Sequence, residues 1–109
     1  MQRMGQIIGI APDRIADYKR EHTAVWPKVL EQIKACNISN YTIFLKEPEN
    51  LMFAYYEYHG TDHMADMAKM AADPATQDWW KLCMPMQRPL ETRKPVEWWA
   101  AMETVFHLD

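Results

Sequence analysis

The amino-acid sequence predicts an α+β fold of the ferredoxin-like type, with the element order β-α-β-β-α-β. Three observations lead to this prediction. Stretches with the two-residue alternation of strands lie at both ends and in the middle of the chain. Segments with the three- and four-residue spacing of amphipathic helices lie between them. Proline and acidic residues mark the points where those helices begin. In such a fold, an antiparallel four-stranded sheet carries its helices on one face.

The N-terminal part of the chain predicts a strand followed by a broken helix. Residues 3–10 have the composition of a strand, and Pro12-Asp13 opens a helix directly after them. Pro27 has no N–H group, and its ring clashes with the preceding helical turn. The helix should therefore break or kink between His22 and Trp26.

The middle of the chain predicts a β-hairpin. Residues 37–46 alternate between the set Tyr41, Ile43 and Leu45 and the set Asn40, Thr42 and Phe44, which is the period of a strand. Residues 47–50 supply a turn that contains proline and asparagine. Residues 51–58 then return as the second strand of the hairpin.

The C-terminal part predicts two helices and a last strand. Gly60-Thr61-Asp62 ends the hairpin and caps a helix that runs to about residue 72. Asp73-Pro74 starts another helix, which carries Trp79 and Trp80. After a loop with three prolines, a strand is expected over about residues 100–108, with Met102, Thr104, Phe106 and Leu108 on one side.

Length and composition restrict the class of protein. The 109 residues, 49% hydrophobic and 25% charged, are expected to form a single domain over residues 1–109. Five tryptophans, five tyrosines and nine methionines are more than one small core buries. We therefore expect a pocket and a homodimer in which two sheets pack face to face.

Charge and targeting signals exclude several partners. The net charge of −3 comes without a basic stripe, so no nucleic-acid partner is expected. The N-terminal residues contain no continuous apolar segment, so neither secretion nor membrane insertion is indicated, and a cytoplasmic location is expected. Cys36 and Cys83 are far apart in sequence and are predicted to be free, buried thiols.

His22 is the candidate catalytic residue. It lies on an apolar helical stripe next to the predicted helix break, so its imidazole should point inward. Tyr18 and Trp26 are one turn before and after it, and Tyr41 is on a strand that should pack beneath this helix. Aromatic rings that stack on the C–H face of a sugar, beside hydroxyl groups that bind its oxygens, make a cofactor-free carbohydrate site. The alternative is a hydrogen-bonded core histidine among core aromatic residues.

The sequence predicts neither a metal nor a cofactor. His59 and His63 have a metal-compatible spacing of four, but Gly60 and Thr61 interrupt the helix between them, and no third ligand is close in sequence. His107 is expected at the sheet edge. The chain has three glycines in total, so a glycine-rich phosphate loop is excluded.

Several motifs combine into a specific pattern that runs almost end to end. They are Tyr18-Lys19-Arg20-Glu21-His22, Trp26-Pro27, Asn40-Tyr41-Thr42-Ile43-Phe44-Leu45, Trp79-Trp80-Lys81 and Glu103-Thr104-Val105-Phe106-His107-Leu108. The combination of Tyr-x-x-x-His-x-x-x-Trp-Pro with a later Asn-Tyr and a Trp-Trp resembles the L-rhamnose mutarotase family.

This resemblance implies a dimeric α+β barrel with a pyranose pocket in each subunit. It implies that His22 is the catalytic acid/base and that Tyr18, Tyr41, Trp79 and Trp80 contact the sugar. The implied activity is the interconversion of the α and β anomers of L-rhamnose without metal or cofactor. Residues 86–99 depart most from the family pattern, which leaves L-fucose as an alternative substrate.

Two other functions stay open at the level of sequence. One is a cofactor-independent monooxygenase or haem-related protein of the dimeric α+β barrel class, which would need a large apolar cavity or an axial histidine. The other is a sugar-binding module without turnover. A fold by itself does not decide between them.

Overall fold

The computed structural model describes all residues from Met1 to Asp109, and it contains the predicted elements in the predicted order. Each of the two helical regions consists of two consecutive helices. In chain order, the elements are β1 (Gln2–Ile10), α1 (Ile15–His22), α2 (Pro27–Ala35), β2 (Ile38–Lys46), β3 (Leu51–Tyr58), α3 (His63–Ala72), α4 (Pro74–Cys83), β4 (Gln87–Arg88) and β5 (Ala100–Met102). Short 3-10 turns, Pro12–Arg14 and Met84–Met86, precede α1 and β4.

The strands form one antiparallel sheet in the order β2-β3-β1, and both β4 and β5 pair with the remaining edge of β1. The two short strands share that edge: β4 pairs with Gly9 and Ile10, and β5 pairs with Gly5, Gln6 and Ile7. Together they take the place of the single fourth strand that was expected, and β4 lies within the segment predicted to be a loop. The predicted ferredoxin-like α+β architecture is confirmed.

Local sequence signals explain the helix boundaries. Pro27 is the first residue of α2, where its missing N–H group costs nothing, and α1 ends at His22 as expected. The Asp62 carboxylate accepts a hydrogen bond from the Ala65 N–H at 3.1 Å and caps α3. The Asp73 carboxylate accepts one from the Thr76 N–H at 2.9 Å and caps α4.

The core lies between the helices and one face of the sheet. Alternate residues of β1 and β3, among them Ile8, Ile10, Met52 and Tyr56, are buried on that face. A larger cluster packs Ile8, Ile10 and Met52 against α1, α2 and α4, and a smaller one packs Tyr56 and Tyr58 beneath α3. Both cysteines are free and buried, as predicted.

The opposite face of the sheet carries apolar side chains that no helix covers. Ile7 and Phe53 face each other there across β1 and β3, and both are only half-buried. Phe44, paired with Phe53 from β2, is 61% exposed. This uncovered apolar face is the surface on which the predicted sheet-to-sheet dimer would form.

An irregularity in β2 determines where Tyr41 points. The register shifts between Ser39 and Thr42, so Asn40 and Tyr41 together occupy the place of one residue opposite β3. Asn40 has a φ of 51°, in the left-handed region that asparagine tolerates better than most residues. This bulge lets Tyr41 share the helix-facing side of the sheet with Ile43 and with Ile38, three residues earlier.

The predicted last strand is too long. Pairing stops at Met102, and the residues that follow, 103–109, have no regular structure and are exposed. The reason is the absence of an apolar surface beneath this segment: Val105, Phe106 and Leu108 are 79–89% exposed.

Candidate functional site

A narrow cleft lies between α1 and the helix-facing side of the sheet. Its volume is about 230 Å³, which is below the roughly 300–1,000 Å³ of sites for drug-sized ligands and therefore suits a small molecule. Its lining is mostly apolar, with three polar side chains from one face of α1. The lining residues are Ile10, Ile15, Tyr18, Lys19, His22, Ile43, Leu45 and Met52.

His22 is the last residue of α1, and its imidazole is oriented by its own helix. Its Nδ1 lies 2.8 Å from the backbone carbonyl oxygen of Tyr18. A carbonyl oxygen only accepts, so Nδ1 carries the hydrogen and donates it. In the neutral ring, Nε2 then has a free lone pair that can accept a proton.

The protonation of His22 is biased towards the neutral form. Burial lowers the pKa of its imidazole below the ordinary value of 6.5, while the hydrogen bond to Tyr18 and the charge of Glu21 oppose this shift. The imidazole is therefore available as a base at neutral pH.

Tyr18 is buried one helical turn before His22. Its ring stacks on the imidazole, with centroids 4.0 Å apart and planes at 19°. Its hydroxyl accepts a hydrogen bond from the Gln87 side-chain amide at 3.2 Å. Burial raises the pKa of Tyr18 to about 12, so the hydroxyl keeps its proton at neutral pH.

Tyr41, on β2, lies against Tyr56 of the smaller core cluster. Its ring lies 5.6 Å from that of Tyr56 and is 39% exposed. The pKa of Tyr41 is raised, chiefly by desolvation of its hydroxyl and further by the nearby Tyr18 and Tyr56. Tyr41 is not among the residues that line the cleft at His22.

Trp79 packs against the His22 ring. It is 7% exposed, and its ring meets His22 edge-on with centroids 5.2 Å apart. On its other side it meets Trp26 at 5.1 Å and 74°. The structure thus brings Tyr18, His22 and Trp79 into direct contact, with Trp26 as an outer neighbour.

Trp80 points elsewhere, as expected for its position next to Trp79 on one helix. It is 36% exposed and does not line the cleft at His22. It lines a second, more open cavity of about 580 Å³, which is bounded by Gln77, Trp80, Lys81, Met84, Pro85 and Trp98.

Sequence reasoning missed several residues of the cleft. The strand alternation could have identified Ile43, Leu45 and Met52 as its apolar floor. Gln87 carried no such signal, because its partner Tyr18 is 69 residues away in sequence. No group of three or more His, Cys, Asp or Glu side chains is arranged to hold a metal ion. None of the helices has the length and hydropathy that crossing a bilayer requires.

Comparison with known proteins gives a consistent result. The family model for L-rhamnose mutarotase matches residues 3–108. The chain belongs to the L-rhamnose mutarotase family. The resemblance seen in the sequence is therefore confirmed, and with it the expected enzyme class, an isomerase acting at the anomeric carbon.

Individual relatives match over their full length. The L-rhamnose mutarotase of Oceanobacillus iheyensis is 31% identical over 109 residues, covering 100% of both chains. That of Listeria monocytogenes serotype 4b is 33% identical over 108 residues, covering 99% of both. A crystal structure of L-rhamnose mutarotase from Formosa agariphila superposes with a TM-score of 0.80 at 22% identity, covering 100% of both chains, and supports the fold.

Proposed function

We propose that this protein interconverts the α and β anomers of L-rhamnose and that His22 is its acid/base residue. The observation that carries the proposal is the hydrogen bond from His22 Nδ1 to the Tyr18 carbonyl oxygen. It leaves Nε2 as the basic nitrogen of an imidazole that borders a small, mostly apolar cleft. A group of this kind suits proton transfer to and from a neutral sugar.

The proposed reaction opens and recloses the pyranose ring. His22 Nε2 accepts the proton of the anomeric hydroxyl, the bond between C1 and the ring oxygen breaks, and the aldehyde forms. The Tyr18 hydroxyl donates a proton to the departing ring oxygen. After rotation about the C1–C2 bond, both protons return and the ring closes to the other anomer, so protein and sugar regain their original protonation.

The other proposed sugar contacts are Tyr41, Trp79 and Trp80. Tyr41 offers a second hydroxyl and is the alternative proton donor, although its ring lies against Tyr56 and outside the cleft lining. Trp79 supplies an aromatic wall beside His22. Trp80 faces the larger cavity, so its contact with the same sugar requires a ligand that extends beyond the cleft or a rearrangement of α4.

The proposal extends to the assembly and its surroundings. We propose one domain over residues 1–109, since both core clusters pack on the same sheet. We propose a homodimer formed on the uncovered sheet face, where Phe44 is largely exposed. The two free thiols favour a reducing compartment and therefore the cytoplasm.

Exchange NMR of the anomeric protons tests the activity directly. The wild-type protein should accelerate exchange of L-rhamnose, and L-fucose measured in parallel establishes the preference between the two sugars. His22→Asn keeps a side-chain group able to donate to the Tyr18 carbonyl but has no titratable base. It should lower the rate by about 100-fold or more.

His59→Asn is the matched control, because His59 is an exposed histidine directly after β3 and does not line the cleft. Its exchange rate should equal that of the wild type. A folded His22→Asn protein with wild-type exchange would remove His22 from the chemistry. Binding of L-rhamnose without any acceleration of exchange would indicate a sugar-binding module instead.

A further inference from the structure

A chain of two hydrogen bonds connects the loop after β4 to Tyr18. The Trp98 indole Nε1–H donates to Gln87 Oε1 at 2.7 Å, and Gln87 Nε2 donates to the Tyr18 hydroxyl at 3.2 Å. Gln87 is on the short strand β4, where it pairs with Ile10, one of the cleft-lining residues. This pair of hydrogen bonds therefore ends beside the cleft, at Tyr18.

The Trp98 indole determines the donor-to-acceptor direction of both hydrogen bonds. An indole N–H can only donate, so the Gln87 oxygen must face Trp98 and the Gln87 amino group must face Tyr18. An amino group can only donate in turn, so the Tyr18 oxygen accepts. The hydrogen of the Tyr18 hydroxyl is therefore left free for another acceptor.

The loop that carries Trp98 is held by hydrogen bonds within the loop. Arg93 donates to the backbone carbonyls of Leu90 and Glu97, at 3.0 and 2.9 Å, and its guanidinium lies 5.9 Å from the centroid of the Trp98 ring. The Glu97 carboxylate accepts from the backbone N–H groups of Lys94 and Ala101. These bonds, together with packing against the larger core cluster, position Trp98, so it can serve as a fixed donor.

We infer that Gln87 is a positioning residue for the mutarotase reaction: oriented by Trp98, it makes Tyr18 a hydrogen-bond donor to the sugar ring oxygen. This inference rests on the proposed function. It also assigns a role to Gln87 and Trp98, two residues of the segment 86–99 that was expected to depart most from the family pattern. A Tyr18 hydroxyl that donates to its own protein would be unable to protonate the departing oxygen.

Gln87→Glu tests the direction of the chain with almost no change in shape. A carboxylate only accepts hydrogen bonds. It should keep the bond from Trp98, but the Tyr18 hydroxyl would now donate its hydrogen bond to the carboxylate. Exchange of L-rhamnose anomers at pH above neutrality should fall by about 10-fold. At lower pH the introduced carboxyl group becomes protonated and can again donate to Tyr18, so the ratio of variant to wild-type rates should rise.

Gln2→Glu is the matched control. It adds the same charge on the same side of the sheet, at the opposite end of β1 from the residue that pairs with Gln87. Its rate should follow that of the wild type at every pH. If the carboxylate only raised the pKa of His22, more of the imidazole would be protonated at low pH. The ratio of the Gln87→Glu rate to the wild-type rate would then fall at low pH, the reverse of the expected trend. An unchanged rate, or a loss by a factor that does not vary with pH, would overturn the inference.

The indole N–H resonance of Trp98 reports on the chain without substrate. It is assigned as the peak that disappears from the ¹H–¹⁵N spectrum in Trp98→Phe. It should move upfield in Gln87→Met, which removes the acceptor, and stay downfield in Gln87→Glu. If the wild type is active but the Trp98 peak of Gln87→Met stays at its wild-type position, the positioning role alone is refuted. A wild type without exchange activity, but with the expected peak shifts, would refute the proposed function and the positioning role together.

Discussion

At the scale of single residues, the environment of His22 explains why one imidazole suits this site. The hydrogen bond from Nδ1 fixes the tautomer, and the stacked Tyr18 ring fixes the plane of the imidazole. Burial weakens its affinity for a proton. The result is a neutral, oriented base, which is the form that can remove a proton from an anomeric hydroxyl.

The direction of this pKa shift predicts the pH dependence of the enzyme. In the proposed mechanism the neutral imidazole is the active base, and its pKa lies below the ordinary 6.5, so the rate should be full at neutral pH. It should fall as the pH drops through the pKa of His22, where the imidazole becomes protonated. The measurement is the rate of anomer exchange against pH, with the spontaneous rate subtracted at each point.

The His22→Asn protein is the control for this profile, since its residual rate should show no titration in the same range. A wild-type rate that increased as the pH fell below 6.5 would mean that the protonated imidazole is the active form. In that case, His22 would act first as an acid on the ring oxygen, and the base would be another group.

At the scale of secondary-structure elements, α4 places two adjacent tryptophans in different surroundings. Trp79 and Trp80 project from the helix about 100° apart, so only one can pack towards His22. The structure places Trp79 in the core beside His22 and Trp26, and Trp80 on the more open cavity. The same helix thereby stabilises the fold and presents an aromatic surface.

Alanine substitutions should separate these two roles. Trp79→Ala should reduce the free energy of unfolding by about 3–5 kcal/mol, because it leaves a large cavity in the core. Trp80→Ala should cost about 1–2 kcal/mol, since its side chain is partly exposed. Chemical denaturation measures both losses, and titration with L-rhamnose measures sugar affinity in each folded variant.

Trp79→Phe is the conservative comparison, since it keeps an aromatic ring beside His22 and should recover part of the lost stability. If Trp80 contacts the sugar, Trp80→Ala should weaken binding while the fold stays intact. Equal destabilisation by the two alanine substitutions would contradict the placement of these side chains.

At the scale of the whole molecule, the sheet has helices on one face only. Its other face presents partly exposed apolar residues, including Phe44 and Met102. The tail beyond β5 adds Val105, Phe106 and Leu108, all largely exposed. A second copy packed on this face would bury them, which the chain on its own does not.

Sedimentation velocity tests this assembly. The wild-type protein should sediment as a dimer of about twice the 12.9 kDa chain mass at micromolar concentration. Phe44→Lys places a charge on the uncovered face and should shift the protein towards the monomer. Met64→Lys is the matched control, because Met64 is an exposed apolar residue on α3, away from that face.

Two results would count against the dimer. One is a wild-type protein that sediments as a monomer with full exchange activity. The other is a Phe44→Lys protein that keeps the wild-type sedimentation coefficient, which would place the interface on another surface.

The sequence by itself determined the features that depend on neighbouring residues. Pro27 ends one helix and starts the next, Asp62 and Asp73 cap helices, and alternation identifies both hairpin strands, because each signal acts within a few residues. The inward direction of His22 followed from helical spacing in the same way.

Only the tertiary structure decided which distant groups meet. The bond between Gln87 and Tyr18, the choice of Trp79 over Trp80 beside His22, and the end of β5 at Met102 depend on packing between elements far apart in sequence. Local propensity carries no information about such contacts. They are set by the burial and hydrogen bonding that become available once the sheet and helices have packed together.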